Sequence, residues 1–308
     1  MAWGRASSGK GNIMAVKKAD NGTEIQILEA EKGRIDFCIL GTSPYICNRM
    51  SQKVWFELLA PRGRKSSVEK ASSMKHDPIR EFRDSPYVMK NPKAPTLLAM
   101  LPTAFKGSMQ TAALDTPGAK KAQIGRLVSV DWDMQPLYGV PRVFMSITRS
   151  ADMNKTPDVR TRAILPEWAC KLSVTFAKPI LREQSIINLL AAAGFQSGVG
   201  DWRQEKGSGS YGSFKIVSID DPDFVRIIKT QGRAAQQAAM DIPVAYDAET
   251  EEMLRWFEHE VSDRGFALKN GEISGPKTSR KSDKPELQHI PTRRDDRPAK
   301  RNGNGVAA

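Results

Sequence analysis

Cysteine and histidine are both scarce, three of each among 308 residues, and that scarcity removes whole classes of chemistry. Cys38, Cys47 and Cys170 are too few and too scattered for a disulfide framework or a zinc site. Cys38 and Cys170 fall in apolar, strand-like runs and read as core thiols. His76, His259 and His289 lie far apart, and none neighbours a nucleophile in sequence; His76 reads as a solvated residue of a basic loop. Histidine-based chemistry is therefore not expected: the chain reads as a non-enzyme, with no catalytic residue, metal or cofactor assigned. Long apolar runs are missing too. The best of them, residues 186–195, is roughly half the length of a bilayer span, and residues 1–10 lack the apolar core of a signal peptide. A cytoplasmic protein with no membrane partner is expected.

What is abundant is positive charge. Lysine and arginine number 47 against 35 acids, a net charge of +12, and the balance favours a polyanionic partner. Residues 1–22 are rich in Gly, Ser and Lys and read as a disordered tail. Gly4 to Gly11 is a near miss to a phosphate-binding P-loop, but it lacks the hydroxyl residue after lysine, and no strand can precede it. Residues 269–308 mix Lys, Arg, Pro, Ser and Asp without apolar periodicity and read as a second, basic tail.

The densest signal lies between Ala191 and Ile216. An apolar helix (about residues 183–193) ends in Gly194, a loop with Gly198, Gly200, Gly207, Gly209 and Gly212 follows, and the chain re-enters a strand near Ser213. Arg203, Lys206 and Lys215 flank those glycines, with Trp202 and Tyr211 among them. Exposed amides, cations and flat rings together suit a sugar-phosphate chain with unstacked bases. A flexible hairpin loop without ligand fits the same residues. A dinucleotide loop is excluded, because there the glycines follow a strand and open a helix.

Alternating patterns mark strands at residues 34–40, 127–132, 168–176 and 213–219, and helices at 103–114 and 183–193. In the first helix Thr103 reads as the N-cap, with Phe105, Met109, Ala112 and Ala113 on one face. Strand, helix, strand, strand, helix, strand is the ferredoxin-like order shared with RNA-recognition modules. The predicted fold class is thus α+β: a ferredoxin-like core with large insertions and a helical C-terminal extension. One domain over residues 23–268 is expected, with insertions at about 42–100 and 142–165. The stretch 61–93 reads as a mobile basic loop. Residues 142–149 and 159–165 could pair as a hairpin, crowding Arg142, Arg149, Arg160 and Arg162. In the extension Trp256 and Phe257 read as core anchors.

This strand order, the glycine-rich loop after the second helix and the helix opening Pro102-Thr-Ala-Phe-Lys-Gly-Ser-Met109 resemble the RAMP superfamily of CRISPR-associated RNA-binding proteins, especially its backbone subunits. Thr103 and Ala104 stand where that superfamily usually has Gly-Ser. The resemblance covers roughly residues 33–220. It implies a hairpin at 142–165 acting as a thumb, an insertion at 61–93 in the finger region, and a homo-oligomer assembled on RNA, with other complex subunits as further partners. It also implies a part in antiviral defence, and the style of the chain fits a phage-encoded relative.

The resulting expectation is binding of single-stranded nucleic acid, RNA favoured over DNA. Lys106, Arg160, Arg162, Arg203 and Lys206 would meet phosphates; bases would stack on Trp202 or Tyr211. Three alternatives remain open: a phage single-strand annealing protein, a scaffold protein whose charge only confers solubility, and a metal-dependent nuclease. For the last, Asp131, Asp133, Asp201 and Glu205 are the candidate carboxylates, the first two sharing one side of a strand end.

Overall fold

The computed structural model describes residue 29 and residues 31–59, 75–149, 157–206 and 209–274. The tail at 1–22, most of the tail at 269–308, the start of the basic insertion and the turn at 150–156 lie outside the described residues.

In chain order the elements begin with β1 (Glu31–Gly41), β2 (Tyr45–Ile46), α1 (Gln52–Leu59), α2 (Pro78–Asp84), β3 (Tyr87–Val88) and β4 (Leu98–Met100). Next come α3 (Pro102–Ala112), α4 (Lys121–Leu127), β5 (Val128–Val130), β6 (Gln135–Tyr138), β7 (Arg142–Arg149), β8 (Pro157–Leu165) and β9 (Ala169–Lys178). The rest are α5 (Glu183–Gln196), β10 (Phe214–Val217), α6 (Pro222–Thr230), α7 (Arg233–Asp241), α8 (Ala248–Asp263), β11 (Ala267–Lys269) and β12 (Glu272–Ser274).

The core strands alternate as their sequence dictates. In β9, Cys170, Leu172, Val174 and Phe176 are buried while Lys171 between them is exposed. In β1, Phe37 and Ile39 face the same interior and Arg34 and Asp36 face away, as the period of two requires. The four strands lie in the order β10-β1-β9-β5, antiparallel throughout. Numbered by their place in the core, that is 4-1-3-2, the ferredoxin-like α+β arrangement expected from sequence.

Helices α3 and α5 cover the apolar face of this sheet. Phe105, Met109 and Ala112 are buried on α3, and the Phe105 ring meets Phe214 of β10 edge-on at 5.4 Å. The Ser108 hydroxyl donates to the Ala193 carbonyl of α5 at 3.2 Å. Thr103 is not the helix cap. Leu101 holds that position without a side-chain bond, and Pro102 occupies the first turn, where its missing N–H leaves nothing unpaired.

The insertions build outward. Strands β6, β4 and β3 extend the sheet beyond β9. β2, β8 and β7 form a separate three-stranded sheet, in which β7 and β8 pair from Arg142↔Ile164 to Arg149↔Pro157. Part of the expected mobile loop is helical instead. Asp77 caps α2 by accepting from the Arg80 amide, Pro78 opens it, and Phe82 is wholly buried. Residues 269–274, read as tail, close the β11–β12 hairpin, where Glu272 pairs with Arg83 at 2.7 Å. In α8, Phe257 and Val261 are buried, but Trp256 is 65% exposed; the helix turns that ring to the far side from the core. Among the described residues no helix is long and apolar enough to cross a membrane.

Candidate nucleic-acid interface

The glycine-rich loop is a closed lobe. After α5 the Gly198 amide donates back to Ala193, Val199 to Gly212, Gly212 to Pro44, Asp201 to Ile46 and Tyr211 to Trp202. Two glycines make this closeness possible. A Cβ on Gly212 would stand 1.7 Å from the Val199 carbonyl, at φ +73°, and one on Gly209 would stand 1.6 Å from the Trp202 carbonyl. The expected cradle of exposed amides is therefore corrected at Gly198. The amides of Gly198, Val199, Asp201, Tyr211 and Gly212 already have carbonyl partners, and Gly200 packs on the Tyr45 ring. Gly207 and the Lys206 side chain lie outside the described residues.

Arg203 is also turned inward. Its Nε donates to Glu205 at 2.8 Å and its Nη1 to the Gly200 carbonyl at 3.3 Å. Glu205 in turn accepts from Thr111 of α3 at 3.1 Å, so this pair fastens the lobe to the core. Trp202 and Tyr211 are half-buried rather than free stacking platforms. They gather around Phe144, at 5.9 and 6.2 Å between ring centroids, with Tyr246 at 5.8 Å on another side. Ile46 and Ile164 complete the cluster.

This cluster lies on one face of the β2-β8-β7 sheet. Directly paired residues share a face, so Phe144 opposite Arg162, Arg142 opposite Ile164 and Ser146 opposite Arg160 all belong to it. Arg149, an odd position opposite Pro157, points to the other face, which separates it from the arginines it was expected to join. Arg142 and Arg160 are exposed and have no ion-pair partner among the described residues. Arg162 is less available: its Nη1 donates to the Arg49 carbonyl at 2.9 Å, Asp201 stands 4.0 Å from its Nε, and that Nε is buried without a hydrogen-bond partner. Lys106 is half-buried on α3, apart from this sheet.

At the end of the same sheet sits a group that sequence reading missed. His76, expected to be solvated, bridges two carboxylates: Nδ1 to Glu81 of α2 at 2.9 Å and Nε2 to Asp158 of β8 at 3.0 Å. Lys75 also pairs with Asp158. The hydrogen bond to Glu81 raises the His76 pKa, with Asp158 adding to it against the effect of burial. Burial alone would raise the Asp158 carboxyl, but hydrogen bonds from Lys75 and His76 outweigh it and hold it low. With both ring nitrogens engaged, the His76 ring ties the hairpin to α2.

The sign of the pH dependence follows. A raised histidine pKa contributes stability that is complete below its ordinary value of about 6.5 and is lost as pH rises through the folded value. His76→Ala should therefore lower the melting temperature most in mildly acid buffer, with the gap to wild type closing as pH rises through the raised folded value. Thermal melts of both proteins across that range check this; a gap independent of pH would show that His76 is not charged in the clamp.

The carboxylates proposed for a metal do not converge. Asp131 accepts from Thr175 at 2.8 Å and faces Arg34 at 3.3 Å, while Glu205 is held by Arg203 and Thr111. Asp131 and Asp133 flank Trp132, whose φ is +71°, so strand alternation fails there. Among the described residues no group of three or more His, Cys, Asp or Glu could hold a metal ion.

No family model and no curated protein matches the chain. Solved structures similar in outline include two that carry the Cmr name. The crystal structure of Cmr6 from Pyrococcus furiosus matches at TM-score 0.32 and 10% identity, over 61% of this chain and 98% of that one. A chain of the Type III-B Cmr-beta complex bound to cognate target RNA matches at TM-score 0.31 and 13% identity, over 61% of this chain and 59% of that one. The expectation of a non-enzyme is corrected here. It rested on histidines that neighbour no nucleophile in sequence, whereas His76 stands between two carboxylates. The chain, an α+β protein of ferredoxin-like core order, is not classed as a non-enzyme.

Proposed function

We propose that this chain binds single-stranded nucleic acid, RNA by preference, across the face of β7 and β8. The observation that carries this is Arg142 and Arg160, exposed and unpaired among the described residues, on the same face as the half-buried rings of Trp202, Tyr211 and Tyr246. The guanidinium groups would meet phosphates, and the exposed edges of the rings would take bases, a combination that tolerates many sequences. Arg203 and the glycines build the lobe that positions the rings.

Oligomerisation along the strand is part of the same reading. The described residues leave Trp55, Phe56, Leu58 and Leu59 of α1 between 56% and 77% exposed, and a contiguous apolar patch of this kind suits a neighbouring protein surface. A second copy following the RNA would supply it.

The test is a salt titration. Reversing Arg142 and Arg160 to Glu together should weaken binding to a single-stranded RNA oligonucleotide by about tenfold or more. It should also flatten the log–log salt slope by about 1.4, or 0.7 for each phosphate no longer neutralised. An unchanged slope would sink the assignment of this face. A deoxy oligonucleotide run alongside tests the preference for RNA, and a strand-annealing assay separates simple binding from the pairing of complementary strands.

A further inference from the structure

The sheet face turned away from α3 and α5 is only partly covered. Helix α6 closes one end by packing Phe224 and Ile227 on Leu40 and Ala169. The rest remains an open groove of about 830 Å³, within the size range of small-ligand sites. Its floor carries Cys38 of β1, Lys171 of β9 and Val217 of β10, neighbours across the ladders. Its walls include Trp132 on one segment and Lys93 on another. None of these residues belongs to the β7–β8 face.

Trp132 is the unusual member. Its indole is 69% exposed and its φ is +71°, a conformation that disfavours bulky side chains. Backbone strain of this kind persists where the surrounding structure imposes it and gathers at ligand sites. Here the imposition is visible. The Asp131 amide donates to the Ser173 carbonyl at 2.9 Å, and the Gln135 side chain donates to the Asp131 carbonyl. The short loop between them is thus closed on itself and turns the indole outward.

The surroundings define a ligand. A large exposed ring on the wall of a groove whose floor includes Cys38 and Val217 offers a flat base a place to stack. Lys171 and Lys93, neither with an ion-pair partner among the described residues, offer cations for a phosphate. Asp36, largely exposed, accepts from Ser173 and faces Arg34 at 3.6 Å, and its remaining acceptor capacity can take the amino edge of a base.

We infer that this groove is a second nucleotide site, holding one base of a single-stranded RNA on Trp132 and its phosphate near Lys171. The inference rests on the single-strand reading above, since it assigns a further contact to the same ligand. Charge complementarity favours RNA over a peptide as occupant: both unpaired groups are cationic, on a chain of net charge +12.

The experiment is fluorescence-anisotropy binding of a labelled oligouridylate to the full chain and its variants. Trp132→Ala should weaken binding by about 5- to 150-fold, the range for losing one base stack, with the salt slope unchanged; Trp132→Phe should restore most of it. Lys171→Glu should weaken binding and flatten the slope. Trp132→Gly, which relieves the positive φ, should melt no lower than wild type yet bind as weakly as Trp132→Ala.

If the groove variants bind like wild type while the Arg142/Arg160 reversal does not, the second site is overturned and the β7–β8 face stands. If only the groove variants lose binding, the groove stands and the hairpin assignment falls. If none loses binding, both fall. Retained affinity in Trp132→Gly would overturn the proposal as well, by assigning the Ala effect to the backbone.

Discussion

Replacing Gln236 with leucine is expected to remove about 3 kcal/mol of stability or more, because four backbone groups, three buried and one partly buried, would lose their partner at once. Gln236 is fully buried on α7. Its Oε1 accepts from the amides of Leu97 and Leu98 at 2.7 and 3.0 Å. Its Nε2 donates to the carbonyls of Leu137 and Gly139 at 2.7 and 3.0 Å. Two amides and two carbonyls are thus satisfied by a single side chain, and its O and N ends cannot be exchanged without breaking all four bonds. Leucine matches the volume and meets none of these groups. Each orphaned group costs about 1–3 kcal/mol, and relaxation recovers only part of the sum. The melting temperature should fall by on the order of 10 °C. Urea denaturation of the two proteins measures the difference directly. A loss under about 1 kcal/mol would mean that water replaces the amide, which its burial argues against.

Gly212→Ala should unseat the whole lobe that carries Trp202 and Tyr211. The added methyl group has no room, since the Val199 carbonyl lies 1.7 Å from its position, and φ is +73°. To admit it the chain must give up the bonds from Val199 to Gly212 and from Gly212 to Pro44, at 2.9 and 2.8 Å. A loss of about 3 kcal/mol or more is expected from backbone strain and broken bonds together. The near-ultraviolet dichroism of the Phe144 ring cluster should diminish, and nucleic-acid affinity with it. Gly107→Ala is the internal control. It sits in α3 with nothing within 4 Å of the new carbon, so it should stabilise by about 0.5–1 kcal/mol. Equal effects from the two substitutions would show that the lobe does not depend on this close approach.

These two residues also mark where sequence stops being informative. The core strands were legible because alternation is local: Cys170, Leu172, Val174 and Phe176 declare their face without reference to anything else. The hairpin was legible for the same reason. Trp202 and Tyr211, in contrast, look like exposed platforms until Phe144 and Tyr246, far away in the chain, close around them. Arg203 looks like a phosphate ligand until Glu205 folds back to meet it. α7 was missed because its sequence, Arg233-Ala-Ala-Gln-Gln-Ala-Ala-Met-Asp241, has a weak apolar stripe, and its chief contact to the core is an amide. For His76 a usable signal existed: Asp77-Pro78 is a helix start, and Glu81 three residues on lies within reach of a side chain just before it. The strand read through Trp132 ends at Val130, and the sign of φ at Trp132 leaves no trace in composition or periodicity.

The pairing of β9 bears on how this surface could change over generations. β9 pairs with β5 through Phe176 to Val174 and with β6 through Cys170 and Ala169; between these ladders the chain leaves the sheet and returns. The excursion that presents Trp132 is therefore anchored at both ends by backbone pairing, and its own side chains contribute little to the core. Its length and sequence can vary at low thermodynamic cost, as surface loops do. A lineage of such proteins can then revise what this groove accepts while inheriting the rest of the molecule unchanged.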